Sequence, residues 1–513
     1  MTATPVSSSN EIAAESGNLA PHAARDRAPD RTRRFVAVVL LLLLATWLRF
    51  RDLDRQSLWF DEGVTAWIAA KPLPQLIEAV KLWENTPPLH YLVVAGAIRV
   101  FGDTDFVVRF PSALAGVGCV WLTYVIGAYL FDWRVGIAAG VWMAISPFQI
   151  LFAQEARAYM LMEFVALVSC YCFLRLLDGA PGKWWKLGYV VATSLLLWSQ
   201  LYGLFVPVAQ NVYYFGLLAL RRRPQPALKW WIGMQLVVAL SFAPWLGPAY
   251  WWTRRVSDTF WIQPLSAHDI TRSFWGYVGS GPMMVAMACL AALALYLTRN
   301  RRGATFCLLL ALCPVVVPVV VSMLTSPLYT PRYGIIATVG FCLLAAEGIA
   351  SLRLPALQVG VFLMLTALPL LRIDPPPEGT QDRAQWRQAF ADLEPRLRRG
   401  DYVALNTGGG IVLFERYVKR RDVEVTGFTD ANVPVPNKRR PGIRVWLVLH
   451  TPQTPPRDIL ASGNWRVVAR RKFIEVDIWQ LERGSEPPRA ISRAINGPIP
   501  TTVSSAPSGV EKP

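Results

Sequence analysis

Charge is scarce in this chain: 17% of its 513 residues are Asp, Glu, Lys or Arg, against about 25% in soluble domains. With 53% hydrophobic residues, it does not read as a soluble enzyme. Cysteine is missing from the polar C-terminal third. All seven, Cys119, Cys170, Cys172, Cys289, Cys307, Cys313 and Cys342, lie inside apolar runs, which argues against a disulfide scaffold or a zinc site. A contiguous basic face is missing too. The +17 net charge is spread over short clusters between apolar runs, so nucleic-acid binding, which needs a continuous basic footprint, is set aside. No solenoid-type repeat is visible. Trp47-Leu48-Arg49-Phe50 offers no small-residue cleavage site, so the first apolar run reads as an uncleaved helix and not as a signal peptide.

What the chain has in abundance is apolar sequence. Runs of helix-spanning length recur from Phe35 to Leu371, and a bilayer helix needs about 20 such residues. The fold class expected is a mainly α, polytopic integral membrane protein in contact with the lipid bilayer. The basic clusters Arg33-Arg34, Arg134, Lys183 with Lys186, Arg221-Arg222-Arg223, Arg299 with Arg301-Arg302, and Arg353 fall between spans, as the positive-inside rule requires of cytoplasmic loops. Taking them as cytoplasmic gives spans at 35–50, 109–130, 135–152, 158–177, 187–200, 203–220, 230–250, 282–298, 304–324, 333–350 and 355–372, about eleven in all.

Residues 1–34, rich in Ser, Ala and Arg, form an expected disordered cytoplasmic segment, and 35–372 a transmembrane domain. A long first external loop covers about 51–107; within it the weaker apolar stretch 89–101, interrupted by His90 and Arg99, reads as an interfacial or re-entrant helix. Residues 373–485 are expected to form a small exported α/β domain, with a helix at 383–398 and strands at 402–405, 423–426, 443–450, 465–468 and 473–481. A Pro/Ser tail, 486–513, follows. The expected location is the inner (plasma) membrane, with the N-terminus cytoplasmic and the C-terminal domain outside.

Parity places four polar segments on one face. The first loop carries the adjacent carboxylates Asp61 and Glu62. They read either as an acidic helix N-terminus stabilised by the dipole or as a general base lifted toward a useful pKa by burial and its like-charged neighbour. Glu84-Asn85-Thr86-Pro87-Pro88-Leu89-His90-Tyr91 reads as a proline-stiffened helix start, and His90 as an interfacial histidine or a substrate contact. In Gln154-Glu155-Ala156-Arg157-Ala158-Tyr159, either Glu155 forms a surface pair with Arg157 or Arg109, or Arg157 is an arginine offered to an anionic headgroup. Arg332, between Pro331 and Tyr333, is an interfacial anchor or a phosphate clamp suited to the guanidinium fork. Arg254-Arg255 with Trp251, Trp252, Trp261 and Trp275 reads as an aromatic belt on lipid headgroups or as a sugar or polyprenyl path.

Taken in order, Trp59-Phe60-Asp61-Glu62, Pro87-Pro88-Leu89-His90-Tyr91, Phe101-Gly102, Val108-Arg109-Phe110-Pro111-Ser112-Ala113, Ser146-Pro147-Phe148 and Gln154-Glu155-Ala156-Arg157-Ala158-Tyr159 resemble the bacterial family-39-type glycosyltransferases. These belong to the glycosyltransferase-C superfamily, with the protein O-mannosyltransferases and the lipid A aminoarabinose transferase. The resemblance covers about 55–215, with a weaker echo at Pro331-Arg332-Tyr333. It implies a polyprenyl-phosphate-linked sugar donor, a lipid, glycan or protein acceptor, and inverting transfer on the extracytoplasmic face. It further implies Asp61 as base, Glu62 as its partner, Arg157 and Arg332 at the donor phosphate, and His90, Glu155, Tyr159 and Tyr333 as substrate contacts. The aminoarabinose transferases carry a lysine directly before the Pro-Pro pair where this chain has Thr86, so the substrate is not carried over from that branch. No cofactor is implied; a divalent ion held by carboxylates and water stays open, although no tight ligand cluster is visible. The rival readings are a transporter or flippase of lipid-linked sugars, disfavoured by the one-sided polar motifs, and a polymer ligase or polymerase of the same membrane class.

Overall fold

The computed structural model describes residues 28–256, 270–271, 275–277, 280–324, 329–370, 384–406, 408–428, 444–450 and 465–483. Residues 1–27 of the expected N-terminal segment, Trp261, and the tail 486–513 lie outside them. The chain divides into two compact units, one of Met1–Arg51, Pro72–Val93 and Arg109–Asp374, the other of Asp52–Lys71, Val94–Val108 and Pro375–Pro513.

The first unit is helical and carries the apolar runs. Asp105–Leu130, Tyr159–Leu177, Leu201–Ala219, Leu228–Trp252 and Arg301–Leu324 are each long and apolar enough to cross a membrane. The spans expected at 187–200, 282–298, 333–350 and 355–372 take the form of shorter helices, Lys183–Ser199, Gly281–Leu297, Ala337–Ala350 and Pro355–Leu370. Ala337–Ala350 packs against Trp133–Ile145, Gly281–Leu297 and Arg301–Leu324, and eleven of its fourteen residues are buried, so it is a central helix of this unit. The molecule is a multi-pass membrane protein, mainly α, with a small C-terminal sheet domain.

One expected span is corrected. The run at 135–152 is two helices, Trp133–Ile145 and Pro147–Ala153, meeting at a 64° bend. Pro147 lacks an N–H and keeps its predecessor out of the α region, and Ser146 accordingly has φ −59° and ψ 120°. The Ser146 hydroxyl then caps the second helix by accepting from the Gln149 N–H at 3.4 Å. The broken end of the first helix is satisfied by a side chain from far away: Arg49 donates to the carbonyls of Met143 (3.0 Å) and Ala144 (3.2 Å), supplying partners for end carbonyls that a helix cannot bond itself. Gly116 makes room for it, since a Cβ there would stand 2.9 Å from Arg49 Nε.

The second unit contains a five-stranded sheet, with β1 Tyr402–Leu405, β2 Glu424–Gly427, β3 Arg444–His450, β4 Trp465–Phe473 and β5 Val476–Arg483 in the order β2-β1-β3-β5-β4. β1 runs parallel to β2 and β3, whereas β5 is antiparallel to both β3 and β4. Val445–Leu449 is buried without interruption, the pattern of a strand covered on both faces. Tyr402, Ala404, Val445, Leu447 and Leu481 form the core of one face. The helices Trp386–Leu393 and Gly408–Tyr417 pack on the sheet. The second of these was not expected from the sequence, because Gly408-Gly409-Gly410 is a poor helix start. Its reason is steric: a Cβ on Gly409 would meet the Phe60 ring at 2.0 Å, so only glycine lets this helix lie against Phe60–Ala69. Buried Asp401, just before β1, ties it to the start of the neighbouring β3 by accepting from Arg444 Nε (3.0 Å) and Trp446 Nε1 (2.9 Å), and also accepts from the Arg398 N–H (2.9 Å).

Candidate functional site

In the first unit, the sequence-selected residues Glu155, Arg157, Tyr159, Arg332, Tyr333 and His90 gather around one turn, 154–158. That turn follows the broken helix pair and is pinned at several points. Gln154 Nε2 donates to the Arg51 carbonyl at 2.8 Å and to that of Leu48 at 3.3 Å, fastening the turn to the end of Ala28–Phe50. The Ser112 hydroxyl donates to the Arg157 carbonyl at 3.3 Å. The Arg157 side chain forks onto Glu84, Nη1 to Oε1 at 3.2 Å and Nη2 to Oε2 at 3.4 Å. Both side chains are nearly buried, 12% and 11% exposed, so this pair is screened far less than a surface one. A two-toothed contact of this kind fixes the plane of the guanidinium.

Tyr159 joins this turn to the second arginine. Its ring lies 5.9 Å from that of Tyr333, and Arg332, Arg157 and Glu155 are all within electrostatic reach of its hydroxyl. Arg332 sits on the short helical turn Pro331–Gly334, its guanidinium 5.7 Å from the Tyr333 ring centre. The Tyr277 hydroxyl donates to the Pro331 carbonyl at 2.9 Å. An aromatic chain, Phe148 to Phe152 (4.7 Å), Phe152 to Tyr159 (5.0 Å), and Tyr202 to Tyr333 (5.3 Å), lines the same region.

His90 is buried beside the turn. Burial lowers its pKa from 6.5 to about 3; the Ala156 backbone opposes that shift and the Arg157 charge adds to it. The ring is therefore neutral at physiological pH and does not compete with the arginines as a cation.

Asp61 and Glu62 belong to the second unit and open the helix Phe60–Ala69. Glu62 is fully buried and accepts from the Trp59 N–H at 3.3 Å, the reach-back of a capping glutamate. Asp61 precedes it on the first turn and is half-buried. Of the two sequence readings, the helix-terminus one thus describes Glu62 directly, while Asp61 keeps a carboxylate at the partly exposed surface.

Three charged or polar groups of the first unit carried no signal in the sequence reading. Glu84 was read only as part of a helix start, yet it holds Arg157. Arg49 was treated as the end of a span, and Glu163 lay unnoticed inside one; both are completely buried, and Gln149 Nε2 donates to Glu163 Oε1 at 3.0 Å. The available signal was an ionisable residue within an apolar run, which is costly unless partnered. Trp252 Nε1 donates to the Lys81 carbonyl at 2.9 Å, which tethers it to Leu73–Trp83. Among the described residues, no group of three or more His, Cys, Asp or Glu side chains is placed to hold a metal ion.

Residues 85–248 match the family model of the dolichyl-phosphate-mannose-protein mannosyltransferases. Comparison with curated proteins returned no match. Among solved structures, ArnT from Cupriavidus metallidurans in the apo state has a TM-score of 0.59 at 15% identity, covering 88% of this chain and 98% of that one. The same protein bound to undecaprenyl phosphate gives 0.58 at 15% identity, covering 86% and 97%. The archaeal oligosaccharyltransferase AglB from Archaeoglobus fulgidus, in complex with an inhibitory peptide and a dolichol-phosphate, gives 0.52 at 11% identity, covering 83% and 70%. At such identities the likeness is one of fold. The resemblance read from the motif order is thereby borne out: the chain has the fold of the glycosyltransferase-C membrane glycosyltransferases, and its residues 85–248 match a mannosyltransferase family model.

Proposed function

We propose that this protein transfers a monosaccharide from a polyprenyl-phosphate-linked donor to an acceptor hydroxyl on the extracytoplasmic face of the plasma membrane. The observation that carries this reading is the gathering of two arginines, Arg157 and Arg332, around Tyr159; the turn 154–158 that carries Arg157 lies inside the stretch that matches the family model. Solved proteins of the same fold hold undecaprenyl phosphate and dolichol-phosphate, and paired guanidiniums are suited to a lipid-phosphate headgroup.

In this mechanism Asp61 takes the proton of the acceptor hydroxyl as its oxygen attacks the anomeric carbon. The bond from that carbon to the phosphate oxygen breaks, its electron pair leaving with the lipid phosphate, and configuration inverts in the single displacement. Arg157 and Arg332 stabilise the charge that develops on the departing phosphate, often a large catalytic contribution. The role of Asp61 rests on motif order; Glu62 holds the helix that carries it. His90, Glu155, Tyr159 and Tyr333 are assigned to substrate contact, with His90 neutral.

The test is transfer by purified protein from a labelled polyprenyl-phosphate hexose to envelope glycans extracted from a deletion strain. Label in the glycan fraction is expected. Movement of intact donor across a vesicle membrane, with no label transferred, would instead establish a flippase.

A further inference from the structure

The second unit carries an open cleft of about 430 Å³ that the proposed chemistry does not use, well inside the range of about 300–1,000 Å³ for small-molecule sites. Its wall combines helix Phe60–Ala69, the turn 103–105, and helix Gly408–Tyr417 with the residues that follow. One side is largely apolar: Ala66 and Val412 flank the Trp67 indole, over which the Lys71 ammonium sits 3.5 Å from the ring centre. The other side is polar and already set. Arg416 donates from Nη1 to Asp103 at 2.8 Å and from Nε to Asp105 at 2.9 Å. The Tyr417 hydroxyl donates to Asp105 Oδ2 at 2.7 Å and accepts from the Leu58 N–H at 2.9 Å. Arg421 is anchored by its own donation to the Val418 carbonyl at 2.8 Å, and Glu415 projects an exposed carboxylate at the rim.

This lining selects a ligand class. Asp103, Asp105 and Glu415 set three carboxylates against the guanidiniums of Arg416 and Arg421 in the lining and of Arg387, whose Nε stands 3.9 Å from Asp105, so the acids and guanidiniums balance. Donors and acceptors both line the cleft, and hydroxyl groups, each both donor and acceptor, suit such a wall. A pyranose adds the matching apolar feature, a C–H face that packs along the side formed by Ala66, Trp67 and Val412 while its hydroxyl rim meets the polar side. We propose that this cavity is a glycan-binding subsite for a neutral saccharide of about two pyranose rings, by its volume. As an acceptor-glycan subsite it rests on the transferase reading above; as a saccharide site it stands on the lining alone.

The experiment is saturation-transfer NMR on the full-length protein in nanodiscs, with maltose, cellobiose, mannobiose and chitobiose as probes and inorganic phosphate as competitor. Wild-type protein is expected to bind at least one disaccharide. Arg421→Ala and Glu415→Gln, both at the open edge of the cavity, are expected to weaken that binding at least ten-fold. Signal to none of the four probes, binding unchanged in both variants, or displacement of the sugar by phosphate would each overturn the proposal. A parallel transfer assay separates the two readings. Transfer without disaccharide binding leaves the enzyme and removes the subsite, whereas binding without transfer keeps the saccharide site and removes the enzyme.

Discussion

Arg157 and Glu84 meet tooth to tooth, two nitrogens on two oxygens at 3.2 and 3.4 Å, across 73 residues of sequence. The pair fixes the direction in which the remaining guanidinium N–H groups point. Arg157→Ala is expected to weaken binding of polyprenyl phosphate about 10- to 100-fold, the equivalent of a charge-assisted hydrogen bond of about 1.5–3 kcal/mol. Glu84→Gln keeps the arginine but loosens its aim, and a smaller loss is expected. Because the two act as one device, the double variant should bind no worse than Arg157→Ala alone. Strictly additive losses in a titration of donor analogue would show that Glu84 plays no part in aiming Arg157.

Asp61 and Glu62 are neighbours with different expected roles, and two conservative variants separate them. Asp61→Asn is expected to lower the transfer rate by about 10²- to 10⁴-fold, the usual contribution of a general base, with thermal stability near wild type. Glu62→Gln removes a charged acceptor from the Trp59 N–H, so it should cost about 1 kcal/mol of stability and affect rate less. The measurements are single-turnover transfer and thermal unfolding of each variant. Full activity in Asp61→Asn would remove the base assignment.

Arg49 closes the broken helix end at Met143 and Ala144, and Gln154 fastens the turn 154–158 to the Leu48 and Arg51 carbonyls on either side of Arg49. Arg49→Ala leaves two buried carbonyls without partners and is expected to destabilise the protein by about 3 kcal/mol or more. Arg49→Lys retains a charge but not the planar fork, so it should fall between. Because the turn 154–158 hangs on this end, both variants should also lose donor affinity. Melting curves in detergent that leave Arg49→Ala as stable as wild type would contradict this account.

The fold class and the ordered motifs were legible because hydropathy and proline act locally: an apolar run of bilayer length has few alternatives, and Ser146-Pro147 marks a break for anyone who weighs the missing N–H. What escaped was set by partners distant in sequence. Nothing near Glu84 announces Arg157, and nothing near Arg49 announces the carbonyls it caps. The helix Gly408–Tyr417 was hidden for the opposite reason. Its three glycines argue locally against a helix and make sense only against the Phe60 ring that Gly409 allows to approach. The subsite cavity, lined partly by that helix, was invisible for the same cause.

His90 supplies a pH-dependent test of the turn. Its folded pKa, pushed down from 6.5 to about 3 by burial, means that at pH values between these limits the unfolded chain binds a proton that the folded protein refuses. Stability therefore rises with pH across that window: it is at its full value above about 6.5, falls as the solution is acidified, and levels off below about 3. The slope contributed by this one histidine approaches about 1.4 kcal/mol per pH unit, so moving from pH 7 to pH 5 should lower the unfolding midpoint measurably. His90→Gln removes the titrating group, and its midpoint should fall less over the same interval. Since Arg157 adds to the depression of the pKa, Arg157→Ala should shrink the acid sensitivity as well, without abolishing it. Parallel pH profiles for wild type and His90→Gln would show that the His90 proton is not what acid adds to the unfolded chain.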